Sequence, residues 1–426
     1  MATTPPYPWR PDFRPRLQSW LSRLFAGPVA LYTRLYRATR GRGCVLIGVT
    51  GSFGKTTTSR AIAAVLGQPT NQEAVANAFS RLYFQALRLM RSRTHGVVEM
   101  GVGRPGQMRA YARVVRPQIA VVTCIDFEHE KHLPDGLDGI RNEKAELVRA
   151  LRADGTAVLN RDDDRVMWMA SQTRARVVTF GRHAEADVAL VASSPTARGM
   201  HLQVRIGGRD YNVRTQLVGA VMVTPILAAL AAAHAAGLSI DDAIVSLQQL
   251  GPSQRRLEPV ALPNGVSVLL DDCKGTPATA HAAIDAVAGL PPGRRIAVLG
   301  IIPLGTPEPK SRVYEELGRH AGGVFDHVLL IHHDDDAFEA YRRGLLEGGL
   351  PEDRIQRIGD VHEATDVLRK RLEPGDTLLL KGHFADHLTR IAMMLRDEPC
   401  KCRLTQCWIR DSRWCSACPS VLRASA

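Results

Sequence analysis

Apolar positions along the chain fall into short β-branched runs, separated by stretches in which they return every three or four residues. "CVLIGVT" at 44–50, "HGVVEMG" at 95–101, "QIAVVTCI" at 118–125, "TAVLN" at 156–160 and "ARVVTFG" at 175–181 read as strands between helices. That alternation, from Cys44 to about Gly251, predicts a mostly parallel sheet flanked by helices. Between Asp187 and Val218 the period drops to two, with Gly207 and Gly208 at a turn, which predicts a small antiparallel hairpin inserted in the domain. After "GPSQRRLEPV" a second series, "VSVLLDD", "RRIAVLGI", "HVLLIHH" and "DTLLLKG", predicts four strands of a smaller, Rossmann-like α/β domain. The expected class is therefore α/β, with units at 43–252 and 253–396. A basic amphipathic segment precedes them at 1–42, and a Cys-rich tail, expected to be disordered, follows at 397–426.

With 426 residues and 45% hydrophobic content, the chain can build two or three cores. The longest apolar stretch, "AVMVTPILAALAAAHAAGL", holds Pro225 and His234 among alanines and predicts a buried helix in preference to a membrane span. The N-terminus has Pro, Trp and Arg where a leader would be apolar, so a cytoplasmic protein is expected. For 1–42 two readings stand: packing on the next domain, or contact with a membrane surface. The net charge of +12 invites a nucleic-acid partner, but the arginines are spread along the chain and aromatics are 5% of residues. That is too few for a base-stacking platform, so no nucleic acid is expected. Three isolated cysteines, Cys44, Cys124 and Cys273, suit a reducing compartment. The tail "CKCRLTQCWIRDSRWCSACP" carries enough thiols for a tetrahedral Zn²⁺ site, or is simply a basic extension.

Candidate chemistry begins at "TGSFGKTT", where an apolar strand gives way to glycines, a lysine and hydroxyl residues opening a helix. Thr50, Gly51, Ser52, Gly54, Lys55, Thr56 and Thr57 form a loop whose N–H groups can converge on phosphate, with Lys55 reaching the outer phosphates and Thr56 a Mg²⁺ ion. The general phosphate-loop spacing asks for glycine where Val49 stands. Glu99, and further on Glu128 and His129, stand at strand ends, where ligands gather in open α/β sheets.

The ordered set "TGSFGKTT", "EMGVGRPGQM", "TCIDFEHEKHL", "NEKAELV", "VLNRDDD", "RRLE", "LLDDCKGT" and "LLKG" resembles the Mur ligase family from about Cys44 to Leu395. That family joins a carboxylate to the amine of an amino acid or dipeptide in peptidoglycan synthesis, with relatives that make other γ-linked or polymeric peptides. Its phosphate loop reads T-G-x-x-G-K-[ST], which accounts for Val49. The resemblance implies ATP and Mg²⁺ as cofactors, with Lys55 and Thr56 at ATP and the first metal, Glu99 at that metal and His129 at a second. It implies that Lys144 is a lysine carried as a carbamate, that Asn77 lies near the phosphates, and that Arg256 reaches back to the nucleotide. Asp272 then belongs to the nucleotide site, while Lys274 and Thr276 contact substrate or phosphate. Parts of the chain are similar to the D-alanyl-D-alanine-adding branch and parts to the D-glutamate-adding branch.

Three departures bear on these expectations. The phosphate loop starts by residue 48, which leaves no room for the usual UDP-sugar domain before it. Val221, Met222 and Pro225 occupy places that are polar in the family, and Ile301 stands where an acid often follows glycine. The function expected is an ATP-dependent ligase acting on a small-molecule carboxylate and an amino acid or peptide. The alternatives are a homologue that binds nucleotide in a non-catalytic or scaffold role, and a nucleic-acid-dependent NTPase, whose further motifs are missing.

Overall fold

The structure is a computed structural model that describes residues 27–70, 79–92, 94–127, 135–273, 275–303, 309–403 and 415. A helix at 27–38 (α1) leads through a short turn into strand β1 (Val45–Thr50). Then come α2 (Lys55–Val65), α3 (Phe79–Ser92), β2 (His95–Glu99), α4 (Gln107–Val115), β3 (Ile119–Val122), α5 (Gly136–Arg149), β4 (Thr156–Asn160), α6 (Asp164–Met167) and β5 (Arg176–Gly181). The five strands pair in parallel in the order β2-β1-β3-β4-β5. Helices cover both faces, so β1, β3 and β4 are mostly apolar, with polar residues only at strand ends, and are buried along almost their whole length. The register sets Val49 beside Glu99 and Thr50 beside Val122, so three strand ends open onto one edge.

The antiparallel part is larger than a hairpin. Strands β6 (Val188–Thr196), β7 (Gly199–Ile206) and β8 (Arg209–Thr215) form a meander, and β6 joins β5 in parallel to extend the sheet to eight strands. The outer half of β6 lies in solvent, so its apolar signal fades and the third strand was hidden. Gly207 and Gly208, both at positive φ, close the β7–β8 turn as the two-residue hairpin geometry requires. Helix α7 (Val223–Ala235) then runs against the sheet and α2 and is buried on every side from Pro225 to Ala233, which explains the apolar sequence of that stretch. Pro225 sits in its first turn, where no intrahelical bond is lost. Helix α8 (Ile240–Gln248) follows. Among the described residues, no helix is long and apolar enough to cross a membrane.

The second unit runs β9 (Glu258–Ala261), β10 (Ser267–Asp271), α9 (Pro277–Ala288), β11 (Arg295–Leu299), α10 (Lys310–Gly322), β12 (His327–Ile331), α11 (Asp335–Glu347), β13 (Ile355–Ile358), α12 (Val361–Arg371), β14 (Thr377–Lys381) and α13 (Thr389–Leu395). Its sheet order is β13-β12-β11-β14-β10-β9, parallel except for β9. The four apolar strands read from the sequence are the inner four. The edges, "EPVA" and "IQRI", are too short and mixed to announce themselves. One apolar cluster runs from Ile226 and Leu227 of α7 to Ala283 and Ile284 of α9, so the two units share a core. Gly219, just before α7, approaches Ala286 so closely that a Cβ there would stand 2.7 Å from the alanine methyl.

Candidate active site

The phosphate loop depends on two glycines. Gly51 has φ +146° and Gly54 has φ +78°, the latter at the N-cap of α2, conformations that L side chains rarely adopt. A Cβ at Gly51 would lie 1.9 Å from the Thr123 hydroxyl. Lys55 is 9% exposed, and its Nζ donates to the Gly51 carbonyl at 2.7 Å and to the Ser52 carbonyl at 2.8 Å. Lys144, on α5 and 2% exposed, donates to the same Gly51 carbonyl at 2.9 Å. Two buried ammonium groups thus meet beside the positive N-terminus of α2, an arrangement that favours an anion. Glu99 is buried at the neighbouring strand end, and Thr56 is partly exposed in the first turn of the helix.

The loop is strapped from below by residues the sequence motifs did not single out. Thr123 Oγ1 donates to the Phe53 carbonyl at 2.6 Å, and Asn160 Nδ2 donates to the Thr123 carbonyl at 2.8 Å. Ser52 Oγ donates to the Asp126 carbonyl at 2.7 Å and accepts from Asp126 N at 2.9 Å. Asp163 accepts from Ile125 N at 2.7 Å while also capping α6. Glu143, beside Lys144 in sequence, accepts from Gly106 N at 2.8 Å and Met108 N at 2.7 Å. The helix "NEKAELV" therefore sends one carboxylate to the loop after β2 and one ammonium to the phosphate loop.

At the junction between units, Arg255 and Leu257 take φ of +59° and +49°, unusual for non-glycine residues and a mark of a constrained segment. Arg255 Nε donates to Asp272 Oδ1 at 2.6 Å, and Leu257 N donates to Asp271 Oδ1 at 3.2 Å. Lys381 holds the other oxygen of Asp271 at 2.7 Å. Burial pulls the Arg255 guanidinium down, but the Asp272 carboxylate more than reverses this and leaves it above its ordinary value. Arg60 of α2 donates to Ser253 Oγ at 2.6 Å and to the Gly251 carbonyl at 3.1 Å. Burial, and then the charge of Arg256, hold Arg60 below the usual guanidinium range.

Lys55, Lys144 and Glu99 are thus brought together with the loop residues Thr50 to Thr57. Asp272, expected at the nucleotide, is instead fully buried, its carboxylate taken by Arg255 and by Thr389 N at 2.9 Å. A buried carboxylate needs a cation and hydrogen bonds, and here the linker arginine supplies the charge. The Thr276 hydroxyl serves the capping box that starts α9. Asn77, Glu128, His129 and Lys274 lie outside the described residues. At Ile301, where the family often has an acid, a carboxylate from far along the chain lies against the backbone: Asp386 Oδ2 accepts from Ile301 N at 3.0 Å and His383 N at 2.8 Å.

A phosphate loop with two buried lysines, on a parallel sheet that hands over to a second α/β unit through a pinned linker, is the layout of a two-domain nucleotide-using enzyme. The chain matches the Mur ligase middle domain over residues 49–233 and the Mur ligase, glutamate ligase domain over 255–384. A UDP-N-acetylmuramoyl-tripeptide–D-alanyl-D-alanine ligase of Synechocystis is 30% identical over 371 residues, spanning 83% of this chain and 75% of the relative. The enzyme of that name from Mycobacterium tuberculosis is 29% identical over 382 residues, with 84% and 74% covered. MurF from Acinetobacter baumannii shares the fold at a TM-score of 0.73 and 21% identity, over 88% of this chain and 81% of that one. MurF of Thermotoga maritima, solved with ADP, gives 0.70 at 20% identity over 88% and 84%. The chain belongs to the Mur ligase family, and it is an ATP-dependent ligase that forms C–N bonds.

Proposed function

We propose that this ligase activates a substrate carboxylate as an acyl phosphate and transfers it to the amine of an amino acid or short peptide. The observation that carries the proposal is the convergence of Lys55 and Lys144 on the Gly51 carbonyl at the head of α2, with Glu99 at the adjoining strand end. The carboxylate attacks the γ-phosphorus of ATP and ADP leaves. The amine then attacks the acyl carbon, phosphate departs, and the amine gives up its proton. Lys55 and the loop N–H groups offset charge on the transferring phosphoryl group, and positioning does most of the remaining work. The names of the relatives make D-alanyl-D-alanine the first amine to test.

The residues fit a divalent cation, since a buried carboxylate at Glu99 and the Thr56 hydroxyl are hard oxygen donors beside a phosphate loop. Mg²⁺, when bound, neutralises phosphate charge. His129 and a carbamate on Lys144 are proposed at a second such ion, Asn77 and Arg256 at the nucleotide, and Lys274 and Thr276 at the substrate. Such a carbamate would exchange the buried Lys144 ammonium for an anionic oxygen donor while its remaining N–H kept the bond to the Gly51 carbonyl, leaving Lys55 as the ammonium at the loop. A cytoplasmic location is proposed. The first 42 residues, with eight arginines against one aspartate, are proposed to touch an anionic membrane surface.

Phosphate release by the purified chain with ATP and Mg²⁺, supplied with candidate carboxylates and amines, tests the reading. Release that requires both substrates and falls about 10²–10³-fold in Lys55→Ala supports it. ATP binding without release under any pairing would point to the non-catalytic alternative.

A further inference from the structure

Helices α9 and α10 of the second unit meet through a pair of imidazoles. His281 on α9 and His320 on α10, both half-buried, bring their Nδ1 atoms to 2.7 Å, with ring centres 5.0 Å apart and planes 24° from parallel. His320 Nε2 lies 3.0 Å from an oxygen of Asp285, one turn beyond His281 on α9. That nitrogen carries a hydrogen, since an ionised carboxylate only accepts. The close approach of the two Nδ1 atoms likewise needs a hydrogen on one of them and a lone pair on the other. A metal ion does not fit between them, because two nitrogens held by one Zn²⁺ would stand about 3.3 Å apart.

We propose that His281 and His320 form a latch between α9 and α10 that acid opens. The number of protons decides its state. With both rings neutral, His281 Nδ1–H donates to His320 Nδ1. With one proton added, His320 carries hydrogen on both nitrogens and donates to His281 and to Asp285. A second added proton puts hydrogen on both Nδ1 atoms, so the hydrogen bond is lost and two like charges face each other at contact distance. Around His281, Asp285 on its own helix and Glu316 on α10 favour that second proton, while burial and the charge of His320 oppose it. Strand β14 also packs on α9, but its Lys381 is held by Asp271 at 2.7 Å, and the turn at Ala220–Met222 carries no charge. Burial, the largest influence, and then His320 hold the His281 ring below its ordinary 6.5. The unfolded ring takes its proton near 6.5 and the folded ring only at lower pH, so the latch contributes fully above pH 6.5 and progressively less below it.

Its position gives the latch reach. Ala283 and Ile284, two and three residues after His281, belong to the apolar cluster shared with Ile226 and Leu227 of α7, and Ala286 is the residue that Gly219 approaches. The latch thus holds the helix that seats one unit on the other, and its opening loosens that seat.

Nuclear magnetic resonance of the full chain with nitrogen-15-labelled histidine tests the pair directly. At pH 7.5 two Nδ1 nuclei should be coupled through a hydrogen bond. The coupling should be absent in His281→Phe and should vanish from the wild type by pH 4.5. Melting temperature is the second readout. His281→Phe keeps a ring against His320 and removes the titrating group, so between pH 7.5 and 4.5 the wild type should lose about 2 °C more than the variant. Every other histidine is common to both proteins, so its titration cancels. His320→Phe should match His281→Phe, and if neither variant folds, the wild-type coupling and its loss in acid decide the matter. No coupling at pH 7.5, a coupling that persists at pH 4.5, or equal acid sensitivity of the wild type and a folded variant would overturn the latch.

Discussion

At the scale of single residues, the active loop tolerates little change. Gly51→Ala must place a methyl 1.9 Å from the Thr123 hydroxyl at a φ of +146°, so either the loop or β3 shifts. Calorimetric titration should show ATP affinity falling by at least about tenfold, since a shift of even 1 Å disperses the N–H groups that hold phosphate. Glu143→Gln should retain most activity, because an amide oxygen still accepts one of the two N–H groups, whereas Glu143→Ala frees the loop after β2. His333 offers a pH test in the second unit. Its Nε2 lies 3.1 Å from the Leu299 carbonyl, and burial holds it at about 4. The unfolded ring takes its proton near 6.5 and the folded ring does not, so stability is intact above pH 6.5 and declines as pH falls from there to about 4. Urea denaturation across that window should cost the wild-type chain roughly 3 kcal/mol more than His333→Phe. The loop was legible in sequence because all its parts lie within eight residues. Asp272 and Asp386 were not, because what they hold, Thr389 and Ile301, stands 117 and 85 residues away.

At the scale of elements, α1 shows how a helix can answer to two environments. Helical spacing in the basic N-terminal segment was evident from sequence, but not which face would pack. Thr33 and Arg37 turn inward. The Arg37 guanidinium donates to the carbonyls of Gly41, Cys44 (2.7 Å) and Arg116 (3.2 Å), so an arginine that reads as a solvent charge is a peg holding α1 to the sheet. Leu31, Tyr32 and Leu35 remain exposed on the outer side, next to the chain's densest run of arginine. An apolar strip flanked by cations fits the boundary of an anionic bilayer. Vesicles containing phosphatidylglycerol should sediment the wild-type protein, and purely phosphatidylcholine vesicles should not. The double variant Leu31→Glu with Leu35→Glu should lose sedimentation while keeping its melting temperature, since neither side chain is packed. Equal binding to both vesicle types would exclude the electrostatic part of the proposal, and no binding to either would exclude all of it.

Across the whole molecule, the two sheets could be read from the periodicity of their strands, but their coupling could not, because it runs through backbone carbonyls and side chains distant in sequence. Arg60 lies five residues beyond Lys55 on the same helix and donates to Ser253 Oγ and to the Gly251 carbonyl. The helix that presents the phosphate loop therefore also grips the linker, and a few residues on, Arg255 and Leu257 hold left-handed conformations braced by Asp272 and Asp271. A shift of α2 on binding phosphate is therefore expected to reach the linker through these bonds. Arg60→Met keeps the apolar stem and removes the grip, leaving buried acceptors unmatched at a cost of about 1–3 kcal/mol. If the grip orients the second unit for catalysis, this variant should bind ATP within about twofold of wild type while turnover drops tenfold or more, since nucleotide first meets the loop and chemistry needs both units. A fall in ATP affinity with turnover unchanged would instead confine Arg60 to holding the nucleotide site.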